Sequence, residues 1–94
     1  MYVLKIEHPV PNFEGWKQAF ESDPVGREKS GVRRYRILRD VEDRNFVTIE
    51  LEFDTREEAQ GLLDAMRGVW SRVEGSVMTN PVSRISEAVD VREY

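Results

Sequence analysis

The sequence predicts one α+β domain in the order βαββαβ, with two helices on one face of a four-stranded antiparallel sheet. Three observations predict it. Apolar and polar residues alternate at the period of a strand in the strand segments, two further segments repeat apolar residues at helical spacing, and a polar tetrad of hairpin length joins the second strand to the third. A chain of 94 residues has room for one core, so residues 1–94 are expected to form a single domain.

Residues 2–8 predict the first strand because their side chains alternate between apolar and polar. The side chains expected to point inward are Tyr2, Leu4 and Ile6. Pro9 and Pro11 end this strand, since proline has no N–H for the ladder. Asn12 is a suitable N-cap for the first helix. The apolar stripe of that helix comprises Phe13, Trp16 and Phe20.

The segment after the first helix predicts a turn and then a hairpin. Asp23–Pro24 ends the helix, because residues before proline avoid the α region. Pro24 could instead start a short new turn that Asp23 caps and Gly31 closes. Residues 32–41 predict an arginine-rich strand, residues 42–45 the hairpin loop and residues 46–53 the clearest strand of the chain.

The second helix begins with a capping box formed by Thr55 and Glu58. Its apolar stripe comprises Ala59, Leu62, Leu63, Met66, Val69 and Trp70. Gly61 and Gly68 each weaken a helix by about 1 kcal/mol relative to alanine, so a packing or curvature reason is expected for both.

Residues 71–80 predict a loop, with or without a helical turn, between the second helix and the last strand. Residues 82–89 predict that strand, with Ile85 and Val89 inward unless a bulge near Glu87 shifts the phase. Residues 90–94 form a polar tail. Alternating helices and strands in this order are typical of the ferredoxin-like plan.

Two helices can cover only one face of such a sheet, and the predicted open face is heavily charged. Its side chains are Val3, Lys5, Glu7, Arg34, Arg36, Leu38, Thr48, Glu50, Glu52, Arg84 and Ser86. One interpretation is a solvated face with weak cross-strand ion pairs. The other is that two copies bring these faces together across a two-fold axis. Buried ions that lack partners are costly, so water or a ligand would then be expected between the sheets.

Composition excludes several classes of function. A net charge of −4 argues against nucleic acid and anionic membranes as partners. The chain has no cysteine, so disulfides, thiolate nucleophiles and cysteine-based metal sites are ruled out, in agreement with a cytoplasmic protein. The N-terminus is too charged for a signal peptide, and no apolar run approaches the roughly 20 residues of a membrane span.

Three segments carry a resemblance to a known superfamily. They are residues 13–20 (Phe-Glu-Gly-Trp-Lys-Gln-Ala-Phe), the pair Asp23–Pro24 with Gly31–Val32, and residues 45–59. They resemble the dimeric α/β-barrel superfamily, and within it small antibiotic-biosynthesis-monooxygenase-like proteins. The resemblance covers most of the chain and is specific for fold. It implies a homodimer whose sheets face each other as a barrel, with the helices outside.

The resemblance implies several activities. Members include cofactor-independent monooxygenases of aromatic polyketides, haem-degrading enzymes, lactone isomerases, polyketide cyclases and proteins with no known activity. The haem-degrading branch uses an Asn, a Trp and a His. Trp70 matches the tryptophan, but Glu7 and His8 stand where the asparagine is wanted and no histidine follows Trp70. Haem degradation is therefore not carried over to this chain.

Three residues are candidates for catalysis: His8, Glu7 and Glu50. His8 is the only histidine, and imidazole titrates near neutral pH, but a strand-end role is equally open to it. Either glutamate could be a base in a dry cavity, although nearby cations favour structural ion pairs. One histidine without ligand spacing predicts no metal site, and no cofactor is expected.

The candidate ligand-binding residues fall into two chemical groups. The aromatic ones are Trp16, Phe20 and Trp70, which either fill the core or wall a pocket for a flat apolar ligand. The polar ones are Arg34, Arg36, Thr48 and Arg84, of which the arginines suit an anionic ligand.

Two functional hypotheses follow. The first is a homodimeric monooxygenase, isomerase or cyclase that acts on an aromatic or apolar metabolite without a cofactor. The alternative is a non-catalytic dimeric ligand-binding or stress-related protein. An enclosed pocket that joins Trp16 or Trp70 to an acid–base group would favour the enzyme, whereas a filled, dry core would favour the alternative.

Overall fold

A computed structural model of the chain describes residues 1–73 and 80–94, and its elements follow the predicted order. The strands are β1 (Tyr2–Pro9), β2 (Arg34–Arg39), β3 (Phe46–Phe53) and β4 (Val82–Glu87), and the helices are α1 (Phe13–Glu21) and α2 (Arg56–Val73). The strands form one antiparallel sheet in the order β2–β3–β1–β4. This confirms the ferredoxin-like α+β fold. Of the predicted loop at 71–80, residues 71–73 belong to α2, and residues 74–79 lie outside the described part.

Both helices begin at the predicted caps. The Asn12 side chain accepts a hydrogen bond from the Gly15 amide at 2.9 Å. At the start of α2, the Thr55 hydroxyl oxygen accepts from the Glu58 amide at 3.1 Å, and the hydroxyl itself is 3.1 Å from the Glu58 carboxylate. These bonds satisfy backbone donors that have no partner within the helix. Local sequence therefore determines where each helix starts.

The turn between α1 and β2 also follows the sequence. The Asp23 carboxylate accepts a hydrogen bond from the Arg27 amide at 2.9 Å. Gly31 has a φ of 100°, which is strained for any residue with a side chain. A Cβ atom at Gly31 would also collide with the Glu58 carboxylate. The segment thus ends at a glycine that lies directly against the start of α2.

The core lies between the sheet and the helices, as strand parity predicts. Its buried apolar members are Leu4, Ile6, Val10, Trp16, Phe20, Val47, Ile49, Leu51, Phe53, Ala59, Leu62, Leu63 and Trp70. Every second residue of β3 is buried, from Val47 to Phe53, whereas the residues between them are half-exposed. One apolar face is therefore covered and the other is open.

The prediction for the last strand is correct for Ile85 and wrong for Val89. Ile85 packs against the core, whereas Val89 lies beyond the end of β4 and is 85% exposed. β4 pairs only with β1, and the pairing ends where Tyr2 meets Glu87, near the start of the chain. Val89 therefore lies beyond the paired part of β4. The pairing from Val82 to Glu87 is regular, so no bulge shifts the phase.

Of the packing or curvature reason expected for Gly61 and Gly68, the packing reason is wrong and the curvature reason stays a prediction. Both glycines lie on the exposed side of α2, and a Cβ atom at either one would have no neighbour within 4 Å. Glycine therefore lowers the stability of α2 at both positions, and no close contact with another described segment requires it there. This leaves room to strengthen α2 without disturbing the core.

We therefore expect Gly61→Ala and Gly68→Ala each to raise the free energy of unfolding by about 0.8–1.0 kcal/mol, because alanine has the higher helix propensity. Urea denaturation at one protein concentration measures the change. Gly31→Ala is the contrasting variant, since it should destabilise the protein by strain and collision. Destabilisation by both helix variants would mean that these positions contact something that the single chain does not contain.

Candidate functional site

The open face of the sheet has its charges arranged in cross-strand rows. The register of the four strands aligns Arg34–Glu52–Val3–Ser86, Arg36–Glu50–Lys5–Arg84 and Leu38–Thr48–Glu7–Val82. This confirms the predicted parity, because the residues between them on the strands face the helices. The polar candidate residues predicted from the sequence all lie on this face.

Ion pairs on this face couple β2 to β3. Arg36 Nε lies 2.6 Å from the Glu50 carboxylate, and Arg34 Nη2 lies 2.8 Å from the Glu52 carboxylate. The glutamate side chains are 23% and 19% exposed, but the arginine side chains are 69% and 76% exposed. Such exposed pairs contribute at most about 1 kcal/mol each. Glu50 is therefore placed as an ion-pair partner in this chain.

Glu7 has a similar setting nearer one edge of the face. Its carboxylate accepts a hydrogen bond from the Thr48 hydroxyl at 3.3 Å and lies 3.6 Å from the Lys5 ammonium. Lys5 is in turn opposite Arg84 in the register, so two cations are neighbours across β1 and β4. The excess positive charge of the middle row is a feature that a facing surface could neutralise.

A pocket lies on the other side of the sheet, between α1 and the C-terminal half of α2. Its volume is about 260 Å³, close to the lower end of the range for small-molecule sites. The residues that line it are His8, Trp16, Ala19, Phe20, Ser22, Pro24, Arg27, Ile49, Met66, Val69, Trp70 and Arg72. We call this the inter-helix pocket. Most of its lining is apolar or aromatic.

His8 is brought into this pocket by strand parity. It follows Leu4 and Ile6 on the covered face, where it is 1% exposed. Burial lowers the pKa of His8 from its ordinary value, and the Pro9 carbonyl, 3.2 Å from Nδ1, opposes this only in part. Because a carbonyl can only accept, this contact places the ring hydrogen on Nδ1 and the lone pair on Nε2. His8 is therefore a neutral imidazole that can take up a proton.

Aromatic side chains form one wall of the pocket. The Trp16 ring meets His8 edge to face at a centroid distance of 5.7 Å and stacks on Phe20 at 5.4 Å. Trp70 contributes from α2 and is 7% exposed. These residues are both part of the core and part of the pocket wall, so the two alternatives considered for them are not exclusive. The contact with Trp16 helps to hold the His8 ring in place.

The structure thus separates the candidate residues into two sets. His8, Trp16, Phe20 and Trp70 meet in the inter-helix pocket. Glu7, Glu50, Arg34, Arg36, Thr48 and Arg84 lie on the opposite face of the sheet. A ligand in the pocket of one chain reaches only the first set.

Sequence reasoning missed the two arginines that line the pocket. Arg27 lies in the turn after α1, and Arg72 lies in the last turn of α2. Nothing in their local sequence indicates that the two segments meet. A basic residue near a helix C-terminus, such as Arg72, is usually explained by its interaction with the helix dipole. Its position therefore does not indicate that it also lines a pocket.

The described residues contain neither a metal-binding cluster nor a membrane-spanning helix. No group of three or more His, Asp or Glu side chains that could hold a metal ion occurs within residues 1–73 and 80–94. Over the same residues, no helix combines the length and apolar character needed to cross a bilayer.

No protein-family model and no curated protein matches this chain. Solved structures do match. A candidate antibiotic biosynthesis monooxygenase from Nitrosomonas europaea has a TM-score of 0.70 and 21% identity, covering 94% of this chain and 89% of that one. A dimeric ferredoxin-like protein from an uncultured marine organism has a TM-score of 0.65 and 13% identity over the full length of both chains.

A third similar structure is a MhuD variant with two manganese protoporphyrin IX molecules bound per active site. Its TM-score is 0.61 at 18% identity, covering 99% of this chain and 100% of that chain. Together these structures establish the class: this chain has the ferredoxin-like fold found in antibiotic-biosynthesis-monooxygenase-like proteins. At such identities the similarity defines the fold, and the activity has to be argued from the chain's own residues.

Proposed function

We propose that this protein is a homodimeric enzyme that binds a flat aromatic or apolar metabolite in the inter-helix pocket and uses His8 as its acid–base group. The observation that carries the proposal is that a neutral, buried imidazole lines the same cavity as Trp16, Phe20 and Trp70. A pocket of this kind is the feature that separates an enzyme from a filled, dry core. The names of similar structures support the same class of activity.

The chemistry that the site supports is removal of a proton from the bound ligand. Nε2 of a neutral His8 takes the proton, and the Nδ1–H bond to the Pro9 carbonyl stabilises the imidazolium that results. Most of the lining is apolar, which favours the neutral form of the imidazole before it takes up the proton. Proton removal begins isomerisation, cyclisation and the oxygenation of an electron-rich aromatic by O₂. The reaction is therefore a monooxygenase-, isomerase- or cyclase-type conversion without a bound cofactor.

The homodimer is part of this proposal and uses the open face of the sheet. The charge rows carry both signs, so a second copy related by a two-fold axis could pair its anions with the excess cations near Lys5 and Arg84. A similar structure is described as dimeric. In that assembly the inter-helix pockets lie outside the paired sheets, one on each subunit.

The test is turnover of 1,8-dihydroxyanthrone, a flat aromatic with an acidic C–H bond. Oxygenation consumes one O₂ and yields the corresponding quinone and water, which absorbance and oxygen uptake both measure. We expect the protein to accelerate this reaction and His8→Gln to lower the rate by about 100-fold, because general base catalysis is typically worth that much. Asp64→Asn is the matched control, because Asp64 is an exposed carboxylate of α2 that lines neither the pocket nor the open face, and it should retain activity.

The outcomes separate the two functional hypotheses. Equal rates for the wild type and His8→Gln, or a large loss in Asp64→Asn, would contradict the assignment of His8. No acceleration, combined with saturable binding of the anthrone under anaerobic conditions, would favour the alternative of a non-catalytic ligand-binding protein. The observation that supports this alternative is that the sequence lacks the asparagine and the histidine of the haem-degrading branch.

The lowered pKa of His8 also predicts how stability depends on pH. The unfolded chain takes up a proton at the ordinary pKa of about 6.5, whereas the folded chain resists it until a lower pH. We expect the free energy of unfolding to fall as the pH drops below about 6.5, with a slope of at most about 1.4 kcal/mol per pH unit. His8→Gln should remove this slope in urea titrations, since no other histidine is present. An unchanged slope would mean that His8 is not buried in solution.

A further inference from the structure

The inter-helix pocket is more cationic than the chain as a whole. Arg27 and Arg72 line it, and none of its lining residues within the described part of the chain is acidic. The complete chain has 18 acidic and 14 basic side chains, for a net charge of −4. The described lining therefore carries two cations and no anion, and one of the cations, Arg27, is paired with the Asp23 carboxylate outside the lining.

Arg27 is held in position by its neighbours. Its Nη1 atom donates to the Phe20 carbonyl at 2.7 Å and lies 3.6 Å from the Asp23 carboxylate. Its guanidinium carbon lies 4.0 Å from the centre of the Phe20 ring, and its side chain is 15% exposed. A guanidinium has five N–H donors in a rigid fork, so these contacts orient the group and leave donors for a ligand.

Arg72 has a different setting. It lies in the last turn of α2, two residues after Trp70, and is exposed. A long flexible side chain in this place can approach a bound anion without the cost of being buried in its absence. The pocket therefore combines one fixed cation and one adaptable cation with an aromatic wall.

We infer that the ligand of this pocket is an amphipathic anion. Its flat apolar part lies against Trp16 and Phe20, and its carboxylate, or an oxyanion of similar size, binds Arg27 and Arg72. Charge-assisted hydrogen bonds to a guanidinium are strong and directional, and they are strengthened by the apolar surroundings. The inference rests on the pocket of the proposed function and specifies the chemical class of its ligand.

Two dyes that share a ring system but differ in charge test whether the pocket prefers an anionic ligand. 8-Anilinonaphthalene-1-sulfonate is an aromatic anion, and N-phenyl-1-naphthylamine is its neutral counterpart. Both fluoresce on entering an apolar site. Energy transfer from the only two tryptophans, Trp16 and Trp70, reports that a dye is bound to the protein, and the arginine variants report whether it is bound in the pocket. We expect Arg27→Met and Arg72→Met each to weaken binding of the sulfonate by about fivefold or more and to leave the neutral dye within about twofold.

Arg67→Met is the matched control, because Arg67 is an exposed arginine of the same helix that does not line this pocket. It should change neither affinity. Arg72→Met keeps the test valid if Arg27→Met unfolds, since Arg72 is exposed. The sulfonate should also bind more weakly as salt is raised, because ions screen exposed charges.

Each outcome decides the inference. Equal sensitivity of the two dyes to the arginine variants, or no sensitivity in either, would overturn the anionic ligand while leaving the pocket intact. A failure of both dyes to bind would overturn the pocket and the proposed function together. Arginine-dependent binding of the sulfonate without any anthrone turnover would support this inference and contradict only the catalytic part of the proposed function.

Discussion

Glu50→Lys is expected to convert the proposed dimer into a monomer. Glu50 lies between Arg36 and Lys5 in the middle row of the open face, and Arg84 completes that row. The substitution makes all four positions cationic. A two-fold interface contains the changed residue twice. The repulsion between cations and the cost of burying unpaired ions therefore arise in both subunits.

We expect the dissociation constant to rise by about a thousandfold or more, equivalent to about 4 kcal/mol. Sedimentation velocity across micromolar concentrations measures it. Within one chain the variant loses only the exposed pair with Arg36, which is worth at most about 1 kcal/mol, so the monomer should stay folded. Circular dichroism checks this point.

Asp64→Lys is the control for charge, because it makes the same change on an exposed position of α2, away from the open face. It should leave the assembly unchanged. If Glu50→Lys sediments like the wild type, or if the wild type is already a monomer, the open face is not the interface. The inter-helix pocket would survive that result, because its lining comes from a single chain.

Phe53→Ala should lower the free energy of unfolding by about 3–5 kcal/mol. Phe53 is the last residue of β3, it is fully buried, and it belongs to the core beneath the helices. Truncation removes apolar contacts and leaves a cavity that the surrounding strands cannot fully close. A domain of this size has a net stability of about 5–15 kcal/mol, so the loss is a large fraction of it.

Urea denaturation of wild type and variant at the same protein concentration measures the change, because dimerisation makes stability depend on concentration. Val89→Ala is the control, since Val89 is 85% exposed and should change stability by no more than about 0.5 kcal/mol. A large loss in Val89→Ala would show that this residue is covered in the assembled protein. A small loss in Phe53→Ala would contradict the position of the core.

The elements of the fold could be predicted because each is determined by nearby residues. Asn12, Thr55 and Glu58 satisfy helix donors through contacts three residues along the chain. The alternation from Phe46 to Phe53 determines which face of that strand is buried. These effects act over a few residues, so they can be predicted from the sequence.

Errors occurred where the partner of a residue is distant in sequence. Val89 continues the predicted inward side of β4, but the pairing of β4 with β1 stops at Glu87. A packing or curvature reason was expected for Gly61 and Gly68, and the packing reason fails because both lie on the exposed side of α2. The length of a neighbouring strand and the rotation of a helix decide both points.

The candidate site also has one feature that local sequence predicts and one that it does not. Parity already places His8 on the side of Leu4 and Ile6, so its inward direction could be derived from the sequence. The cavity beside His8 could not be derived from the sequence. Its existence depends on the distance between α1 and the end of α2 above the sheet.

The sequence by itself determined the order of the elements, their starting points and the opposed apolar and charged faces, since hydrogen bonds and side-chain periodicity act over a few residues. Only the tertiary structure decided that His8, Arg27 and Trp70 line one pocket, and that the glutamates of the open face do not. The physical reason is that a pocket is a space left by the packing of distant segments, and its size and charge belong to none of them alone.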